Sequence, residues 1–166
     1  MFSPELIRRL CLHMEWADSL VWRAILASNA ATTDSRLREQ LLHLHLTQRG
    51  FFLVWTNQDL ASFWTRRFDT TEALFGWARP LYSDLTELVS RLDRVQLEAQ
   101  TPLPWAMHFA PSPGPTTLGD TLFQLTSHTT HHRGQVNSRL RELGAEPPLV
   151  DYIAWLWLGK PPATWL

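Results

Sequence analysis

Seven histidines occur in a chain of 166 residues, and three of them fall in one run, Ser127-His128-Thr129-Thr130-His131-His132-Arg133-Gly134-Gln135. His128 and His132 are four residues apart, one turn on a helix, so two imidazoles on one face can grip the same ion. Leu125, Thr129 and Val136 flank them, which makes that face the apolar, inward one. Buried imidazoles need hydrogen-bond partners or a ligand, since an unpaired polar group inside a protein is costly. Two ligands are too few for a tight site, so a third is expected from another helix. An earlier stretch offers His43 and His45. Residues two apart on a helix leave it about 200° apart, so at most one can reach the ion, and spacing alone leaves the choice open. His131 points away from the pair. His13 reads as a histidine bonded to a neighbouring helix or to solvent, and nothing fixes the position of His108.

Three neutral imidazoles leave a divalent ion its full charge and open positions, whereas a structural zinc site is closed by four protein ligands. Such an ion lowers the pKa of a bound water and deprotonates a coordinating thiol. The expected cofactor is a divalent metal ion, zinc or nickel first and iron next, because imidazole suits several of these metals.

The elements that must position these groups read as helices. Ser3-Pro4-Glu5 is a cap followed by proline at the first helical position. Leu6, Leu10, Met14, Ala17, Val21, Ala24 and Ile25 then recur at three- and four-residue steps, and the segment ends near Ser28-Asn29. A second helix runs from the cap in Thr32-Thr33-Asp34-Ser35 to about Asn57, with Leu37, Leu41, Leu44 or His45, Gln48, Phe52 and Trp55 on one stripe. A third begins around Thr70-Thr71-Glu72 and carries Leu74, Trp77, Leu81, Leu85, Leu88 and Leu92, with Pro80 either kinking it or marking its true start. Prolines at 102, 104, 111, 113 and 115 forbid a regular element there.

The fourth helix opens at Thr116-Thr117, with Asp120 three residues on as a capping-box variant. Its inner face is Leu118, Leu122, Leu125, Thr129, His132, Val136, Leu140 and Leu143. Gly144 stops it and Pro147-Pro148 reinforce the stop. Asp151 is the expected cap of a short fifth helix. The expected fold is all-α, a four-helix bundle with that fifth helix packed on it, forming one domain over residues 1–166.

Composition narrows the function. Fifteen Lys and Arg against 16 Asp and Glu give a formal charge of −1, with no basic stripe of the kind a nucleic-acid partner requires. No segment has the unbroken apolar length of a membrane span, and the amino terminus, interrupted by Glu5, Arg8 and Arg9, does not read as a signal peptide. A cytoplasmic location is expected. One cysteine excludes an internal disulfide, and Cys11, set among Leu10, Leu12 and Met14, reads as a buried, inert thiol. The nine Trp, several near the carboxyl end, suggest more apolar surface than one bundle covers, hence a homodimer.

The chain resembles the DinB-like superfamily, which includes the bacillithiol and mycothiol S-transferases, over nearly its whole length. The resemblance lies in His13-Met14-Glu15-Trp16-Ala17-Asp18, in His43-Leu44-His45-Leu46-Thr47-Gln48-Arg49, in the stretch from Thr117-Leu118-Gly119-Asp120 to Gln135, and in the ending Leu140-Arg141-Glu142-Leu143-Gly144. It implies a divalent metal held by one histidine of the second helix and two, four apart, of a later helix. Carried over, these are His43, His128 and His132, His43 being chosen because a polar residue, Gln48, follows five later with Arg49 after it. The implied activity is a metal-dependent thiol S-transferase of detoxification or stress response, its partners a low-molecular-weight thiol and an electrophilic small molecule. The alternative is a non-catalytic, metal-binding, stress-associated protein. Trp105 and Phe109 of the proline-rich loop are candidate walls for the substrate.

Overall fold

The computed structural model describes residues 2–166. Helix α1 spans Pro4–Leu26, with Ser3 Oγ accepting the Leu6 N–H at 3.1 Å. Its buried face is Ile7, Cys11, Met14, Ala17, Asp18, Val21, Trp22 and Ile25, rotated from the expected stripe so that Leu6 and Leu10 stay half-exposed. A one-turn helix, α2 (Asn29–Thr33), occupies the connection that the sequence reads as a polar run. Asp34 then caps α3 (Ser35–Trp55). Phe51 rather than Phe52 continues the buried stripe of α3.

The third expected helix is two. Thr70 caps α4 (Thr71–Ala78), and Pro80 is the first residue of α5 (Pro80–Arg91). Proline has no N–H to donate and is tolerated there, so the chain restarts without losing a bond. A short α6 (Arg94–Leu97) precedes the proline-rich stretch, which is irregular apart from a single 3₁₀ turn at Ala106–His108. Helix α7 (Leu118–Glu142) opens with a reciprocal box: Thr117 Oγ1 accepts the Asp120 N–H, and Asp120 Oδ2 accepts the Thr117 N–H. Gly144, at φ +77°, adopts the left-handed conformation that ends it. The last helix, α8 (Tyr152–Trp157), follows Asp151 as expected, but the Asp151 side chain makes no capping bond.

The chain is all-helical, as expected. α7 packs against both α1 and α3, and α5 packs against α1, so the long helices surround a shared interior. One end of the core holds Ile7, Phe51, Leu85, Leu122 and Leu125, and the other Trp22, Leu37, Leu41, Leu74 and Leu140. At α8 Trp155 is buried whereas Trp157 is 79% exposed. Among the described residues no helix is long and apolar enough to cross a membrane.

Candidate metal centre

Neighbouring long helices bring His43 of α3 alongside His128 and His132 of α7. One imidazole nitrogen from each lies within 4.8 Å of the other two. The two α7 rings bring their Nε2 atoms to 3.1 Å, and the His43 and His132 ring centres are 4.5 Å apart. His128 and His132 are half-buried, while His43 is exposed. Burial pushes His128 down to about 4, helped by the nearby imidazoles of His132, His43 and His131. Burial and the His132 ring also lower His43. Both rings are therefore neutral near pH 7, the form that ligates a metal.

The donor set fits a divalent ion. Tetrahedral zinc with bonds of about 2.0–2.1 Å sets its nitrogen ligands roughly 3.3–3.4 Å apart. The 3.1 Å spacing within α7 nearly meets that, and the third ligand is an exposed side chain close by. Gln135 fixes one ring. His132 Nδ1–H donates to Gln135 Oε1 at 2.7 Å, which leaves the Nε2 lone pair turned to its neighbours. The Gln135 amide is anchored in turn by His131 Nε2, at 3.2 Å.

His45 stands outside the site. It is buried, and Trp22 Nε1–H donates to its Nε2 at 3.0 Å. Its proton therefore sits on Nδ1 and is donated to Gln48 Oε1 at 2.8 Å. With both nitrogens engaged and burial lowering its pKa, His45 is a neutral structural histidine. His13 bonds the Val150 carbonyl through Nε2 at 2.9 Å, so its partner is the irregular segment before α8 rather than a neighbouring helix or solvent. His108 is exposed on the 3₁₀ turn and His131 is exposed on α7, so neither joins the group. Of the two candidate wall residues, Trp105 packs edge-on against Phe51 and Trp64, whereas Phe109 is 85% exposed.

A family model described as the DinB family matches residues 9–162. The chain belongs to the DinB family. Comparison with curated proteins returns no match. In this DinB-family chain the helices that carry the triad are joined by a polar core that spacing could not reveal. Gln48 Nε2 donates to Asp18 Oδ2 and Thr129 Oγ1, Tyr82 donates its hydroxyl to Asp18 Oδ2 at 2.6 Å, and Arg133 Nε donates to Asp18 Oδ1 at 2.7 Å. Asp18 thus ties α3, α5 and α7 to α1. It fixes the rotation of the two helices that carry the ligands.

Proposed function

We propose that this protein is a divalent-metal-dependent S-transferase that joins a low-molecular-weight thiol to an electrophilic small molecule, in detoxification or stress response. The convergence of three imidazoles with one exposed member supports this reading. His43, His128 and His132 would hold the ion, and no fourth protein ligand joins them among the described residues. A divalent ion there supplies the positive charge that favours thiolate over thiol at neutral pH. His128 is kept neutral by its burial, and His132 is oriented by Gln135. His43 leaves the outer side of the site open to solvent and to reactants.

The chain supplies no nucleophile of its own in this scheme. Cys11 is buried, and burial pushes its thiol up to about 12, so the attacking sulfur belongs to the cosubstrate. In the reaction a carbon–sulfur bond forms and a carbon–halogen bond breaks. The halide leaves with the bonding pair, and the thiol proton passes to solvent.

The test is conjugation of a small thiol to a halogenated nitrobenzene by the metal-loaded protein. The rate should vanish on chelation, return with the native metal, disappear in His128→Ala and survive in Cys11→Ser. A loaded protein that turns over none of several cellular thiols, and whose cobalt spectrum none of them perturbs, would leave a metal-binding protein without this activity.

A further inference from the structure

The segment between α3 and α4 folds back over α3 and sets Trp64 on its backbone. A Cβ at Gly50 would lie 2.7 Å from Trp64 Cη2 and 3.5 Å from Phe63 Cε1. A side chain at position 50 would push the indole away, whereas glycine lets its tip rest on the helix. The ring meets Phe63 and Trp105 edge to face, with centres 5.0 and 5.7 Å apart. Trp105 meets the buried Phe51 in the same way. Trp64 is thus held by aromatic neighbours, yet it stays 43% exposed.

The indole stands on the same face of α3 as the triad. Gly50 follows His43 by seven residues, so the two positions differ by about 20° around the helix and by about 10 Å along it. His43 neighbours His128 and His132, and further along α3 Trp55 donates to Thr121. Trp64 therefore lies beside the α7 stretch that leads from Thr121 to His128. Thr47, one turn from His43, is half-buried and donates its hydroxyl to the His43 carbonyl. Arg49 is the one charged residue of α3 between the two positions. It is turned towards α4, where it lies 4.9 Å over the Trp77 ring and donates to the Trp77 carbonyl. The path along α3 from the triad to Trp64 thus presents no charge.

We propose that Trp64 determines which electrophile reacts at the triad, and that the class it selects is an electron-poor aromatic. This rests on the S-transferase reading of the triad. The face of an indole is rich in π density. A ring activated for attack by nitro groups is poor in it, so the two attract face to face. A ring whose reacting carbon meets the thiol sulfur beside the triad covers, with its far substituents, most of the distance of about 10 Å to Trp64. There the carbon–sulfur bond forms, the halide leaves with the bonding pair, and the thiol proton passes to solvent. A small aliphatic electrophile reaches no indole and gains nothing from it.

The experiment compares the zinc-loaded parent with Trp64→Ala and Gly50→Ala. Alanine at position 50 displaces the indole while favouring the helix, so both variants should hold the metal and behave alike. Each receives one small thiol with either 1-chloro-2,4-dinitrobenzene or chloroacetamide. The preference for the aromatic, as a ratio of kcat/KM values, should fall about tenfold in both variants, the size of an aromatic contact. An equal fall with both electrophiles would make Trp64 a packing residue and overturn the proposal. Binding is read separately by NMR with 2,4-dinitrothioanisole, a mimic of the product, in the absence of thiol. It should shift the indole N–H signal of Trp64 and leave that of Trp157, which is 79% exposed, unmoved. Equal shifts at both indoles, or none, would also overturn it. A parent that turns over neither electrophile, while the Trp64 signal still shifts, would defeat the S-transferase reading and leave Trp64 as an aromatic-binding residue.

Discussion

Asp18 on α1 and Arg133 on α7 form an ion pair of 2.7 Å with side chains only 4% and 3% exposed. Both oxygens of Asp18 are engaged, Oδ1 by Arg133 and Oδ2 by Tyr82 and Gln48. Removing one partner strands a buried charge, a loss of about 3–5 kcal/mol. Asp18→Ala should therefore lower stability by that order in urea unfolding. The double variant Asp18→Ala/Arg133→Met should recover part of it. If the double change costs the sum of the two singles, the pair is not coupled.

The metal should depend on a specific subset of the seven histidines. His43→Ala, His128→Ala and His132→Ala should each lose stoichiometric ion by elemental analysis of protein purified without a histidine tag. His131→Ala should keep it, because that ring lies outside the group. His45→Ala should reduce stability instead, since it removes the partner of the Trp22 indole N–H. A His131 variant that alone lost the ion would refute the assignment of faces.

The second-helix ligand shows where local pattern stops. Helical rotation states that His43 and His45 cannot both reach one ion, and the spacing of His128 and His132 states that they can. What takes His45 out of the site is an indole N–H from α1, twenty-three residues away in sequence, and no periodicity carries that contact. The ends of helices were legible because they are local: Ser3-Pro4, the Thr117–Asp120 box and Gly144 act within a turn. The buried face of α3 was harder to place, since Phe51 and Phe52 are equally apolar and only packing against Trp105 and Trp55 selects Phe51. The network around Asp18 draws one or two residues from each of four helices, so no single segment announces it.

Acid should destabilise the metal-free protein through His128. Burial holds its folded-state value at about 4, below the 6.5 of a free imidazole, so between these values the unfolded chain binds more protons. Stability is then complete above pH 6.5 and falls as the pH drops towards 4. Thermal melts of chelated protein across that range should show the decline, and His128→Gln should flatten it. An equal slope in the variant would assign the effect to other groups.

Cys11 should be silent in the native state. It is 3% exposed, and burial pushes its thiol up to about 12, so almost none is thiolate at pH 8. A colorimetric disulfide reagent should titrate one thiol in denaturant and react with the folded protein only as fast as the chain opens. Rapid labelling under native conditions would show the thiol to be accessible and return it to consideration as a nucleophile.

Gln135 should set metal affinity without touching the metal. Its Oε1 accepts the His132 Nδ1 proton at 2.7 Å, which fixes the tautomer that leaves Nε2 free to ligate. Losing such a support commonly costs 10–100-fold in affinity. Gln135 is exposed on α7, so Gln135→Leu should leave the melting temperature of the metal-free protein nearly unchanged. The same variant should release the ion to a competing chelator at concentrations that the parent resists. Gln135→Glu offers a carboxylate to the same proton and should restore tight binding, because a stronger acceptor makes the ring more basic. Unchanged affinity in the leucine variant would mean that His132 is oriented by packing alone.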